Sequence, residues 1–147
     1  EDSIKKVSDR LQNKNSEENG EETTLDPDDP MNLPAAEKHI VYFNYDQYSL
    51  SSSAFAEVDK VIMRMKDNKK LHVHLKGHTD MAGSEQYNEP LSKKRAQMVF
   101  DYMNSRGIPM ERMVLSSYGK KKPVVKNEDP NTAWMNRRCE MVLFETE

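Results

Sequence analysis

The feature that most constrains the fold is a strand-like stretch at residues 71–76 that lies between two helical patterns. Apolar and polar side chains alternate in this stretch, and a period of two is typical of a strand with one buried face. The alternating residues are Leu71, His72, Val73, His74, Leu75 and Lys76. On each side, apolar residues recur every three or four positions, as on one face of a helix. The two helical stripes are Phe55, Val58, Ile62 and Met65, and then Leu91, Met98, Val99, Tyr102 and Met103.

Three β-prone runs, at residues 39–43, 114–118 and 137–144, complete the order βαβαββ. Asn88 is a good cap for the second helix, with Pro90 in its first turn, and Gly107 is placed to end it. Strand–helix–strand alternation requires crossover connections. We therefore expect the first strands to be parallel neighbours, with both helices on one face of the sheet. The predicted fold class is α/β, a two-layer sandwich with a mixed sheet.

The chain divides by charge into two parts. Residues 1–34 carry ten acidic and four basic residues, whereas residues 35–147 carry fifteen acidic and eighteen basic ones. The first part is rich in Asn, Glu, Asp and Pro, which is typical of a linker. Ile4, Val7 and Leu11 have the spacing of a helix and are consistent with the end of a preceding one. We expect an acidic linker over residues 1–34, one domain over residues 35–147, and any targeting signal or anchor further upstream.

Composition excludes several classes of function. Cys139 is the only cysteine, so the chain forms no internal disulfide, and we expect this residue to act as a small core hydrophobe. No apolar run approaches the ~20 residues that span a bilayer, so we expect no membrane insertion by these residues. The lysines at 120–122 are the nearest approach to a cationic stripe, and they are typical of a solvated loop. Nucleic acid is not an expected partner, because the aromatic signatures of RNA-binding modules are absent.

A charged pair near the middle of the chain indicates a binding site. Asp80 lies in a turn just after the strand at residues 71–75, and Arg95 lies near the start of the helix that follows. An acid and a forked cation held close together suit a group that carries both an ammonium and a carboxylate. The alternative is that Asp80 and Arg95 form an ion pair that only fastens the loop to the helix.

The surrounding motifs resemble those of the OmpA-like peptidoglycan-binding domain of the MotB and Pal type. They are GHTD-x-x-G at residues 77–83, N-x-x-LS-x-x-RA at residues 88–96, and Asn-Arg-Arg at residues 136–138. The resemblance covers Lys38 to Glu145. It implies non-catalytic binding of the diaminopimelate of a peptidoglycan stem peptide, with Asp80 on its ammonium and Arg95 on its carboxylate. It also implies a periplasmic location, in which the domain anchors an upstream outer-membrane or periplasmic module to the cell wall.

The resemblance implies further ligand-binding residues. It adds Asp46 and Tyr48 from the loop after the first strand. Arg137 and Arg138 both match the last motif, and of the two we favour Arg138. Adjacent residues of a strand point to opposite faces, so one arginine at most reaches the site. The remaining residues are Thr79, Met81 and Asn88. Thr79 and Asn88 are equally well explained as turn-forming and helix-capping residues.

Parts of the sequence suggest three other functions. The first is a metal site at His72, His74 and His78, but a metal would occupy the acid that the motif assigns to the ligand, so we expect solvent-facing histidines, no metal and no cofactor. The second is a cell-wall hydrolase or transpeptidase that uses Ser117 and Lys120, but the companion motifs of serine enzymes with this spacing are missing. The third is a Pal-type protein-interaction domain, in which a protein partner binds the same surface.

Overall fold

The computed structural model describes residues 37–146, and it contains four strands and two α-helices in the order βαβαββ. The elements are β1 (Glu37–Tyr42), α1 (Ser52–Asp67), β2 (Leu71–His78), α2 (Glu85–Ser105), β3 (Met113–Ser117) and β4 (Arg138–Glu145). This is the predicted order, with strand ends displaced by one to three residues. The predicted linker over residues 1–34 lies outside the described residues. Neither α-helix in the described range has the length and apolar character that a membrane crossing requires.

The four strands form one mixed sheet in the order β1-β4-β2-β3. β4 is antiparallel to both β1 and β2, whereas β2 and β3 are parallel. The mixed α/β sandwich is confirmed, but the expectation that the first two strands are neighbours is wrong, because β4 lies between them. A strand that is paired on both sides is screened from water along its length. Accordingly, seven of the eight residues of β4 are buried.

The hydrophobic core lies between the helices and one face of the sheet. α1 begins after Ser51, whose hydroxyl oxygen accepts a hydrogen bond of 3.2 Å from the backbone N–H of Ala54. Both helices send their apolar stripes to the same sheet face, as predicted. Core residues from the helices and strands include Val58, Ile62, Met65, Ala96, Val99, Met103, Val41, Val73, Leu75, Cys139, Met141 and Leu143. Cys139 is therefore a core hydrophobe, and burial raises the pKa of its thiol.

Helix α2 begins four residues earlier than the capping pattern predicted. The helix is capped by Ser84 rather than by Asn88. The hydroxyl oxygen of Ser84 accepts a hydrogen bond of 3.1 Å from the backbone N–H of Tyr87 in the first turn. Asn88 is thus inside the helix, where its side chain is free to contact a neighbouring loop. At the other end, Gly107 has a φ of 100° and ends the helix as predicted.

Gly77 allows α2 to approach β2 at backbone distance. A Cβ atom at this position would lie 2.0 Å from the carbonyl oxygen of Ser92, well inside van der Waals contact. Only glycine fits such a close approach. The contact sets the start of α2 directly against the end of β2, and so brings Arg95 next to the loop that contains Asp80.

The opposite face of the sheet carries buried polar groups. His74 is fully buried and His78 is 2% exposed, so the expectation of solvent-facing histidines is wrong for both. His74 Nε2 lies 2.7 Å from the hydroxyl oxygen of Ser116 on β3. His78 stacks on Tyr118, and its Nε2 lies 3.7 Å from Oε1 of Glu140. β2 is an inner strand, so neighbouring strands and the loop after β3 screen these side chains from water.

Candidate functional site

The loop that follows β2 holds Asp80 in a fixed orientation. Its carboxylate oxygen Oδ1 accepts a hydrogen bond of 3.1 Å from the backbone N–H of Ala82. The hydroxyl of Thr79 donates to the backbone carbonyl of Asp80 at 3.0 Å. Gly83 has a φ of 89° and turns the chain into α2. Asp80 is 6% exposed, so its carboxylate lies at the edge of solvent with little freedom to move.

Arg95 is fully buried and binds backbone carbonyls from the loop after β1 and from the end of β2. Its Nε donates to the carbonyl oxygen of Gln47 at 2.8 Å and its Nη2 to that of Asn44 at 3.2 Å, both in the loop after β1. Its Nη1 donates to the carbonyl oxygen of His78, at the end of β2, at 3.0 Å. Burial lowers the pKa of Arg95 to about 10, while the charge of Asp80 opposes this shift, so the guanidinium remains charged at neutral pH.

These contacts create a small pocket of about 50 Å³ between the loop after β1, the Asp80 loop and the first half of α2. Its lining includes Asp46, Asp80, Asn88, Leu91 and Arg95. The structure thus brings together four of the residues that the sequence proposed. The side-chain amide of Asn88 donates to the backbone carbonyl of Ala82 at 2.7 Å and fastens the Asp80 loop to α2. Asp46 has a φ of 56°, a left-handed conformation that Asp tolerates better than most residues.

The arginine that faces Asp80 is Arg137, not Arg138. Arg137 Nη1 lies 3.3 Å from Oδ2 of Asp80, and its Nε donates to the carbonyl oxygen of Phe43 at 2.8 Å. Arg138 points to the opposite sheet face, where its Nε donates to Oε2 of Glu140 at 2.9 Å. Adjacent side chains of a strand alternate between faces, so the expectation that Arg138 faces the pocket is wrong.

Three other predicted residues lie around the pocket rather than in its lining. Thr79 is 1% exposed, and its hydroxyl is occupied within the loop. Met81 lies at the loop tip and is exposed, and Tyr48 lines a larger groove that adjoins the pocket. The alternative arrangement, an ion pair between Asp80 and Arg95, differs from the contacts observed. Arg95 fastens the loops through carbonyl oxygens, while the ion pair of Asp80 is made with Arg137.

Comparison with known proteins places the chain in a family. The OmpA family profile matches residues 42–137, which is well over half of the sequence. The chain belongs to the OmpA family. Its sequence is 35% identical over 103 residues to the peptidoglycan-associated lipoprotein of Rhizobium meliloti strain 1021, covering 70% of this chain and 58% of that protein. The chain therefore spans about three fifths of the length of this relative.

Solved structures agree with the family assignment. The crystal structure of the peptidoglycan-associated lipoprotein from Burkholderia pseudomallei superposes with a TM-score of 0.69 at 32% identity, over 80% of this chain and 99% of that chain. The periplasmic domain of Helicobacter pylori MotB superposes with a TM-score of 0.61 at 19% identity, over 72% of this chain and 70% of that chain. The second likeness is one of fold alone.

In this OmpA-family chain, Glu128 supports the Asp80 loop, a contact that sequence reasoning missed. Its Oε1 accepts from the backbone N–H of Met81 at 2.7 Å, and its Oε2 accepts from the side-chain amide of Asn136 at 2.6 Å. Asn136 in turn accepts from the backbone N–H groups of Val124 and Val125. Glu128 lies in the long loop before β4, where no periodicity marks it. The sequence feature that points to this contact is Asn136, the first residue of the Asn-Arg-Arg motif, because its side-chain amide binds Glu128.

Ser117 and Lys120, the residues of the alternative enzyme hypothesis, bind different segments of the chain. The Ser117 hydroxyl donates to Oε1 of Glu89 at 2.6 Å, and the Lys120 ammonium donates to the carbonyl oxygen of Gly83 at 2.6 Å. Lys120 thus helps to close the Asp80 loop instead of activating a serine. Within residues 37–146, no group of three or more His, Cys, Asp or Glu side chains is arranged to hold a metal ion.

Proposed function

We propose that this domain binds peptidoglycan non-covalently in the periplasm and anchors whatever module precedes residue 35 to the cell wall. The observation that carries this proposal is the pocket that Asp80 and Arg95 line together. Family membership supports it, because the curated relative and the Burkholderia structure are both named peptidoglycan-associated lipoproteins. The groups of the pocket are an acid, a guanidinium and an amide, each held by backbone contacts, and such a fixed set suits recognition rather than a reaction.

The ligand group that fits this chemistry is the free end of diaminopimelate, which carries an ammonium and a carboxylate on one carbon. Asp46 and Asp80 supply negative charge for the ammonium. Arg95 uses three of its five N–H groups on backbone carbonyls, which leaves one N–H on each terminal nitrogen for the carboxylate. Because these carbonyl contacts fix the guanidinium, little side-chain entropy is lost when the ligand binds.

Sedimentation with purified sacculi tests the proposal. We expect the domain to pellet with sacculi of the diaminopimelate type, and free diaminopimelate to release it. Sacculi of the lysine type lack the second carboxylate and leave Arg95 without an anionic partner, so they should retain less protein. Nα-acetyl-lysine amide serves as the matched competitor, because its α-amino and α-carboxyl groups are blocked and it presents the side-chain ammonium alone. Equal retention by both sacculus types, or equal release by both competitors, would refute recognition of diaminopimelate.

A further inference from the structure

A second, larger groove adjoins the pocket along the outer side of α2. It has a volume of about 410 Å³ and shares Asp46, Tyr87 and Leu91 with the pocket as a common rim. Beyond the rim it is lined by Tyr48, Gln86, Pro90 and Lys94. A ligand whose free end occupies the pocket therefore meets this groove where it crosses the rim.

The surface of the groove combines exposed aromatic rings with the ammonium group of one lysine. Tyr48 is 43% exposed and Tyr87 is 51% exposed, and exposed aromatic side chains gathered around a concavity mark binding surfaces. The Lys94 ammonium lies 5.2 Å from the centroid of the Tyr48 ring, a distance at which cation and ring attract each other. This contact holds the ammonium beside the groove. Asp46 lies on the rim and Lys94 lies beyond it. A ligand that extends from the pocket into the groove therefore meets negative charge first and positive charge second.

We propose that the groove binds the acidic residue next to diaminopimelate in the stem peptide, with Lys94 contacting its free carboxylate. This inference rests on the proposed function. In such stem peptides the diamino acid is joined to the side-chain carboxyl of a glutamate, so the main-chain carboxylate of that glutamate remains free. It is an anion outside the pocket, and Lys94 is a cation on the groove that adjoins the pocket. Pro90 and Leu91 supply apolar contact for the intervening methylene groups.

The test uses two synthetic dipeptides that differ in one group. In the first, glutamate is joined to diaminopimelate through its side chain and keeps its free carboxylate; in the second, that carboxylate is amidated. We expect the wild-type domain to bind the acidic dipeptide about two- to fivefold more tightly in calorimetric titrations, the range for a partly exposed ion pair. Lys94→Gln should bind both dipeptides with equal affinity.

Lys93→Gln is the matched control, because it removes the same charge from the adjacent exposed position, outside the groove. It should keep the wild-type preference for the acidic dipeptide. Loss of the preference in both variants would mean that Lys94 acts only as diffuse charge and would overturn the inference. Equal binding of both dipeptides by a wild-type domain that still binds free diaminopimelate would overturn this inference alone. A wild-type domain that fails to bind free diaminopimelate would overturn the proposed function, and this inference with it.

Discussion

Arg137 Nη1 lies 3.3 Å from Oδ2 of Asp80, although the two residues are 57 positions apart in the chain. The other carboxylate oxygen of Asp80 accepts from the N–H of Ala82. Each oxygen of the acid therefore has a donor that fixes its direction. Arg137 also donates to the carbonyl oxygen of Phe43, so one side chain joins the loop after β1, the Asp80 loop and the start of β4. The carboxylate is oriented before any ligand reaches it.

Replacing Asp80 with asparagine should weaken binding to sacculi while preserving the fold. The amide oxygen can still accept from Ala82, but the negative charge that faces a ligand ammonium is lost. Hydrogen bonds to charged groups contribute about 1.5–3 kcal/mol, which corresponds to roughly a tenfold to hundredfold change in affinity. Sedimentation measures the effect, and the melting temperature reports the fold. Asp67→Asn, at an exposed position of α1, is the matched control. Wild-type retention by the Asp80 variant would remove this residue from the site.

Arg95→Lys should lower the free energy of unfolding as well as ligand affinity. An ammonium cannot reach the carbonyl oxygens of Asn44, Gln47 and His78 with the geometry of the planar guanidinium. Buried carbonyl groups would lose their donors, at a cost of about 2–4 kcal/mol in total. Urea unfolding measures this loss. Arg106→Lys changes the same side chain at an exposed position and should stay within about 0.5 kcal/mol of wild type. An equally small change for Arg95→Lys would show that the loops do not depend on it.

Glu128→Ala should loosen the Asp80 loop without unfolding the domain. The backbone N–H of Met81 loses its acceptor, and the side-chain amide of Asn136 keeps only the carbonyl oxygen of Val125. We expect faster hydrogen exchange at the Met81 amide, and sacculus binding weakened about three- to tenfold, because the loop must be ordered when the ligand binds. Glu111→Ala, an exposed glutamate remote from the loop contacts, is the control. Unchanged exchange at Met81 would contradict a supporting role for Glu128.

Local patterns predicted the elements, because period and turn chemistry are properties of neighbouring residues. The alternation of apolar and polar residues from Leu71 to Leu75 predicted β2, and Gly107 predicted the end of α2. The position of β4 between β1 and β2 was not predictable in this way. Strand order depends on which apolar surfaces are left to cover after the crossovers form, and it leaves no periodic mark in the sequence. The burial of His74 and His78 follows from the same central position of β2.

The candidate site was predicted to the extent that its residues lie in motifs. Asp46, Asp80, Asn88 and Arg95 line one pocket. The sequence did not predict which of Arg137 and Arg138 faces Asp80, because the answer depends on where the backbone of β4 begins its alternation. Glu128 was missed for a different reason. Its role depends on the path of a long loop that folds back on the chain 47 residues away.

Gly77→Ala should disrupt the contact between β2 and α2. The new Cβ atom would lie 2.0 Å from the carbonyl oxygen of Ser92, so the helix would have to move away from the strand. Overpacking against backbone should lower the free energy of unfolding by about 3 kcal/mol or more. Gly107→Ala is the instructive comparison, because its Cβ would meet nothing closer than 3.8 Å and only the left-handed φ is penalised, by about 1–2 kcal/mol. If Gly77→Ala is the milder of the two, the close approach does not limit the fold.

His39 of β1 contacts Glu37 of the same strand and Glu57 of α1, and its protonation should make stability depend on pH. Burial lowers the pKa of His39, but the two carboxylates outweigh it and raise the pKa above 6.5, while the bonds to His39 lower the pKa values of both glutamates below 4.5. The stabilisation by protonated His39 is complete below its unfolded pKa and is lost as the pH rises through the raised folded pKa. The contribution of the glutamates is present above pH 4.5 and is lost as the pH falls.

The melting temperature of wild type minus that of His39→Gln should therefore be largest near about pH 5–6 and shrink toward pH 9. His72 and His78 titrate in both proteins, so their contributions cancel in this difference. A difference that stays constant across the range would mean that His39 is not charged in its contact with the glutamates.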